Sequence, residues 1–205
     1  MVDVAHDLGA LGPDGRGHIG MQNMLGQVDI VMGSFSKTFA SNGGFVATRS
    51  RAVQQYLRYF STPGTFSNAL SPIQAAVALR AFEIVDSDEG KALRASLMRN
   101  ILSLREKLVA AGMEVYGDPS AIVCVKMGTE ALARLVSRQI SHMGLVANLV
   151  EFPAVPKGQA RFRLQVMANH TEEQIAAAVD IIQKAYAAGE AELAEIVEPP
   201  LRAIA

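Results

Sequence analysis

The 205-residue chain is short of cysteine, of net charge and of long apolar runs, and each shortage removes a class of protein. Cys124 is the single cysteine, so no disulfide forms within these residues. Its setting in Ile122-Val123-Cys124-Val125 reads as a buried strand thiol rather than a nucleophile. This usage points to a reducing, cytoplasmic compartment. Lys plus Arg total 19 against 20 for Asp plus Glu, a net charge of −1, which gives no general electrostatic pull toward nucleic acid. No apolar run approaches the roughly 18 residues of a membrane span, and the first residues lack the basic and apolar regions of a signal peptide. Internal repeats and low-complexity tracts are also missing. What is present is material for a core: half of the residues are hydrophobic and 19% are charged, enough for one or two domains.

The order of patterns predicts an α/β protein. Residues up to about 60 alternate short apolar runs with glycine-rich turns, as in a mixed sheet. From Ser71 to Ala111 the pattern is helical, with a break near Asp86-Ser87-Asp88-Glu89-Gly90, and the second of these helices is expected to link two domains. Ser71-Pro72 has the chemistry of a helix start, a capping serine followed by proline at the first helical position. From Ser120 the expected order is a strand over Ala121 to Lys126, a helix from about Thr129 to Met143, strands near Val146 and Phe162, and a helix from Thr171, where Gln174 completes a capping box. That is a compact α+β unit. The expected division is 1–90, 91–189 and a tail at 190–205.

The chemistry concentrates around Lys37, in Gly33-Ser34-Phe35-Ser36-Lys37-Thr38-Phe39-Ala40. The run follows Val28-Asp29-Ile30-Val31-Met32, which reads as a buried strand, so the lysine falls just past a strand end, where open α/β sheets place ligands. Upstream, Asp3 and His6 stand three residues apart at the end of another expected strand. A lysine amine with an ordinary pKa of about 10.4 is mostly ammonium at neutral pH. To act as a base it must be held as an imine or desolvated. Pyridoxal phosphate uses such a lysine, and it works as an electron sink when a carboxylate keeps its ring nitrogen protonated. Taken alone, Asp-x-x-His also suits a turn. Ser34-Phe35-Ser36-Lys37 also fits the Ser-x-x-Lys of serine-acylating enzymes, but the companion Ser-Asp-Asn and Lys-Thr-Gly are absent from the sequence.

Four ordered motifs carry a resemblance: Asp3-Val4-Ala5-His6; Gly9-Ala10-Leu11-Gly12 leading to Gly15-Arg16-Gly17; Ser34-Phe35-Ser36-Lys37; and Pro156-Lys157-Gly158-Gln159-Ala160-Arg161-Phe162-Arg163. From about Val2 to His170 the chain resembles the C-terminal half of the α-oxoamine synthases. These are pyridoxal-phosphate enzymes of fold type I, and they include serine palmitoyltransferase, 8-amino-7-oxononanoate synthase and 2-amino-3-ketobutyrate ligase. The resemblance implies a partial cofactor-binding large domain followed by a small C-terminal α+β domain. It implies that Lys37 carries the cofactor and moves the α-proton, that Asp3 pairs with the pyridine nitrogen and His6 with the phenolic oxygen, and that Ser34 binds the phosphate. It also implies that Ser67 and Asn68 reach the phosphate in a partner subunit of a homodimer, with Asn68 standing where relatives carry a hydroxyl. Arg163 is the implied anchor for the substrate carboxylate, by the planar fork of its guanidinium. Alternation over Ala160 to Val166 puts Arg161 and Arg163 on one strand face, so spacing alone does not separate them.

The implied activity is an acyltransferase that condenses an amino acid with an acyl-CoA. The alternatives are an aminotransferase or decarboxylase of the same fold, and a non-catalytic fragment. Full-length relatives carry about as much chain again before the position of Asp3, so the sequence is expected to represent a truncated enzyme that exposes sheet edges and apolar surface when isolated.

Overall fold

A computed structural model describes residues 1–197. The chain divides into two compact units, Met1–Ser96 and the residues from Leu97 onward. The first unit holds β1 (Val2–Asp3), α1 (Gly17–Met21), β2 (Ile30–Ser34), β3 (Gly44–Thr48), α2 (Arg51–Phe60), α3 (Thr62–Phe66) and α4 (Pro72–Val85). Helix α5 (Asp88–Ala110) begins there and runs into the second unit, which adds β4 (Val115–Tyr116), β5 (Ile122–Gly128), α6 (Glu130–His142), β6 (Asn148–Val150), β7 (Ala160–Gln165) and α7 (Glu172–Val197).

In the first unit β1 runs parallel to β2, with Asp3 opposite Met32, and β2 pairs antiparallel with β3. The sheet is mixed, as the alternation of apolar runs and glycine turns predicts. The strand expected at Val28 to Met32 lies two residues later and includes Ser34, because Ile30 to Ser34 find a full antiparallel partner in Gly44 to Thr48. Helix α4 starts as its sequence dictates: Ser71 Oγ accepts the Gln74 N–H, the Gln74 side chain accepts the Ser71 N–H, and Pro72 is the first helical residue. It stops at Val85, and α5 opens with Asp88 and Glu89 in its first turn, where carboxylates suit the helix dipole. This unit leaves Tyr59, Phe60, Phe66 and Ile73 between 67% and 84% exposed, the apolar surface expected of an isolated chain.

The second unit is a four-stranded antiparallel sheet in the order β4-β5-β7-β6, with α6 packed on β5, β6 and β7 and against α7. Strict alternation builds it. Val123, Val125 and Met127 of β5 and Ala160, Phe162 and Leu164 of β7 are buried with Val136, Ile140 and Ile182 of the helices. The opposite face carries Cys124 and Lys126 on β5 and Arg161 and Arg163 on β7. Cys124 is therefore half-buried, on the polar face, and not the core thiol its apolar neighbours suggest. The expected strand near Val146 begins only at Asn148, and Val146 is 92% exposed. Thr171 and Gln174 form the anticipated reciprocal cap of α7, at 3.3 and 2.9 Å. That helix continues through Glu190 to Val197, while Pro199 and Pro200 lie outside the described residues.

Candidate active site

The site residues of the first unit follow from its strand directions. Because β1 and β2 are parallel, their carboxyl ends lie at the same edge of the sheet, so Asp3, His6, Ser34 and Lys37 come from neighbouring strand ends. Asp3 closes β1, and its Oδ1 accepts the Ala5 N–H at 2.8 Å, which turns the chain. His6 is exposed one residue further on. Ser34 closes β2, with its Oγ 2.7 Å from Ser36 Oγ and accepting the Ser36 N–H at 3.1 Å.

Lys37 sits at the crest of the loop from β2 to β3, and two phenylalanines fix that loop from below. Phe39 is 1% exposed and packs tilted against Phe82 of α4 at a ring separation of 4.2 Å. Phe35 packs edge-on against both Phe39 and Phe82, and tilted against Phe45 of β3. The loop closes through Phe35 N–H to Gly43 O and Ser41 N–H to Phe35 O, and Ser41 Oγ donates to Gln74 O at 2.8 Å, which ties it to the first turn of α4. Ala40 takes φ 49°, a left-handed conformation unusual for alanine, held by its N–H bond to Lys37 O. Ser36, Lys37 and Thr38 are thus exposed on a rigid base. The Lys37 amine makes no hydrogen bond or ion pair among the described residues, so Ser34 and Lys37 do not form the nucleophile and base pair of a Ser-x-x-Lys enzyme.

The glycines of this region are close-approach residues. A Cβ on Gly9 would come within 2.7 Å of Thr38 Cγ2, so the glycine-rich turn rests directly on the lysine loop. A Cβ on Gly44 would collide with the Gly33 carbonyl oxygen. Gly44→Ala is expected to push β3 away from β2 at the loop's stem and to cost about 1–3 kcal/mol, measured by urea denaturation. An unchanged midpoint would show that the strands adapt.

Sequence reasoning passed over Asp7 beside His6. Its Oδ2 accepts the His18 N–H at 2.8 Å and lies 3.3 Å from His18 Nδ1, which pins the turn after His6 to α1. Gly17, with φ 66°, leaves room for that carboxylate. A hint lay in the glycine spacing, which signals a turn folding back on itself. Ser67 and Asn68 are exposed between α3 and α4, and their side chains make no hydrogen bond among the described residues.

In the second unit the two arginines differ by their partners. Arg161 lies over the Tyr116 ring at 4.4 Å and donates to Gln159 O. Arg163 makes no hydrogen bond or ion pair among the described residues, which leaves its guanidinium available for a ligand carboxylate. The Pro156-Lys157-Gly158-Gln159 turn before β7 serves the fold: Gly158 N–H donates to Glu130, and Lys157 lies over Phe152. Glu151, at the end of β6, receives Arg134 at 2.7 Å, and that hydrogen-bonded guanidinium holds its carboxyl below the usual range. Among the described residues no cluster of His, Cys, Asp and Glu could hold a metal, and no helix is long and apolar enough to cross a membrane.

The family model for aminotransferase class I and II matches residues 1–182. The chain belongs to that family. It is 38% identical over 181 residues to a 2-amino-3-ketobutyrate coenzyme A ligase of Salmonella typhimurium, covering 88% of this chain and 45% of that protein. It is 37% identical to an 8-amino-7-oxononanoate synthase of Geobacter metallireducens, covering 89% and 46%. A structure of serine palmitoyltransferase from S. paucimobilis with a bound PLP–myriocin aldimine superposes with a TM-score of 0.82 at 30% identity, over 93% of this chain and 48% of that one. The membership among α-oxoamine synthases implied by the motifs is thereby shown, as is the α/β architecture. The chain spans less than half the length of the curated relatives it matches.

Proposed function

We propose that this chain carries the lysine, the ring-nitrogen carboxylate and the carboxylate anchor of a pyridoxal-phosphate acyltransferase that joins an amino acid to an acyl-CoA and yields an α-oxoamine. The observation that carries the reading is Lys37, displayed without a partner among the described residues on a phenylalanine-pinned loop beside the strand that ends in Asp3, in a chain similar to a 2-amino-3-ketobutyrate coenzyme A ligase. The residues fit the cofactor: an amine unpaired among the described residues, a carboxylate and a hydroxyl come from neighbouring strand ends. When bound, the cofactor supplies an electron sink for negative charge at the substrate's α-carbon.

The roles follow from the chemistry of each group. Asp3 would keep the ring nitrogen protonated, His6 would hydrogen-bond the phenolic oxygen, and Ser34 Oγ would donate to the phosphate. Lys37 Nζ would hold the cofactor and, once free, would take the proton from the substrate's α-carbon. Ser67 and Asn68 serve the phosphate of a second copy, in a homodimer that also covers the exposed aromatic surface of α2 and α3. Arg163 fixes the substrate carboxylate. The α-carbon forms its new bond to the acyl carbon, and coenzyme A leaves as the free thiol. In this reading residues 1–90 are part of the cofactor domain, 91–189 are the linking helix and small domain, and the protein works in the cytoplasm.

The test follows free thiol after glycine, alanine or serine is added with an acyl-CoA to cofactor-loaded protein. Thiol release with one pairing is expected. Exchange of keto acids with no thiol release under any pairing would replace the acyltransferase by an aminotransferase.

A further inference from the structure

The face of the second sheet that carries Arg163 holds a row of side chains set by register. Cys124 of β5 and Asn148 of β6 are the residues directly opposite Arg163 on its two flanking strands, and Tyr116 of β4 stands opposite Cys124. Directly opposed residues place their Cβ atoms about 4.5–5.5 Å apart on the same face. Asn148 is therefore the same-face neighbour of Arg163, in a row that runs Tyr116, Cys124, Arg163, Asn148. The other cations of this face are occupied: Lys126 pairs with Glu114 at 2.7 Å, and Arg161 lies on Tyr116. No acidic side chain is paired in register with Arg163, and neither Arg163 nor Asn148 makes a side-chain hydrogen bond among the described residues. Asn148 is exposed, on a strand of only three residues.

From this arrangement we infer that Asn148 is the second half of the carboxylate site, its Nδ2 donating to the substrate carboxylate that Arg163 grips. A guanidinium supplies charge and a planar fork. A neighbouring carboxamide supplies a neutral donor that fixes the carboxylate plane without adding a competing ion. Cys124 on the far side is small and has no strong donor, so it leaves the guanidinium unclaimed. The side chain at 148 then decides how firmly an α-amino acid is held by its carboxylate, while a simple amine passes unnoticed. The inference rests on the reading of Arg163 as the carboxylate anchor.

The experiment titrates the 205-residue chain and each variant with acetate and with glycine by calorimetry, and follows the Arg163 Nε–Hε resonance wherever that arginine is retained, using methylamine as the probe without a carboxylate. Asn148→Ala is expected to weaken acetate and glycine by about tenfold, the worth of a hydrogen bond to a charged group. Asn148→Asp, which sets a carboxylate opposite the guanidinium, is expected to abolish both titrations. Asn148→Ser keeps a donor and is expected to recover part of the loss. Circular dichroism confirms that each variant is folded. Acetate binding unchanged in Asn148→Ala, with Arg163→Lys weakened, would overturn the role of Asn148 and leave the anchor standing. Acetate binding unchanged in Arg163→Lys as well would overturn the anchor itself.

Discussion

Lys37→Ala is expected to lower turnover on the order of 10³-fold, the scale of a lost general base, and to erase the visible-edge absorbance of lysine-bound cofactor. The same substitution should leave the unfolding midpoint within about 0.5 kcal/mol of the parent, as for a surface change that removes no contact. The two halves of this result come from one structural fact. Lys37 is exposed and its amine has no partner among the described residues, while Phe35 and Phe39 on either side carry the packing. Phe39→Ala is the converse change, because it removes the buried base and keeps the amine. Absorbance scans with added cofactor and chemical denaturation of Lys37→Ala decide the matter. An absorbance band that survives the substitution would place the cofactor's covalent attachment elsewhere.

The largest loss of stability is expected from Phe162→Ala. Phe162 is fully buried between the two arginines in sequence, on the face covered by helices, and it is paired with Val125 on one side and Leu149 on the other. Truncating such a ring costs about 3–5 kcal/mol, a large part of the stability of an ordinary domain. The substitution also loosens the strand that sets Arg163 against Cys124 and Asn148, so carboxylate binding should fall together with the denaturation midpoint. A variant that keeps its midpoint would mean that the neighbouring side chains refill the space.

Helix ends were legible because caps are local. Ser71 and Pro72 mark the start of α4, and Thr171 with Gln174 that of α7, within four residues of chain. The alternation in Ala160 to Gln165 likewise put both arginines on one face before any partner strand was known. Strand limits were less legible. β2 reaches Ser34 only because β3 pairs with it, and β6 starts at Asn148 because that is where β7 offers a partner. Cys124 looked like a core residue among valines and isoleucine, but a strand face is chosen by the parity of its neighbours, and Val123 and Val125 took the inside.

The sequence by itself determined the motifs on which the proposed chemistry rests: the lysine behind small hydroxyl residues, the Asp3 and His6 pair, the glycine-rich turn and the two arginines at strand spacing. Local residue types and periodicities carry that information, since an amine, a carboxylate and a fork each have few uses in combination. Tertiary structure alone decided the rest. It brought Phe82 of a distant helix under the lysine loop, set Gly9 against Thr38, occupied Arg161 with Tyr116 while leaving Arg163 unclaimed among the described residues, and placed Asn148 opposite it. Those facts depend on which distant strands pair and in what register, and one strand's own pattern does not encode its partner's.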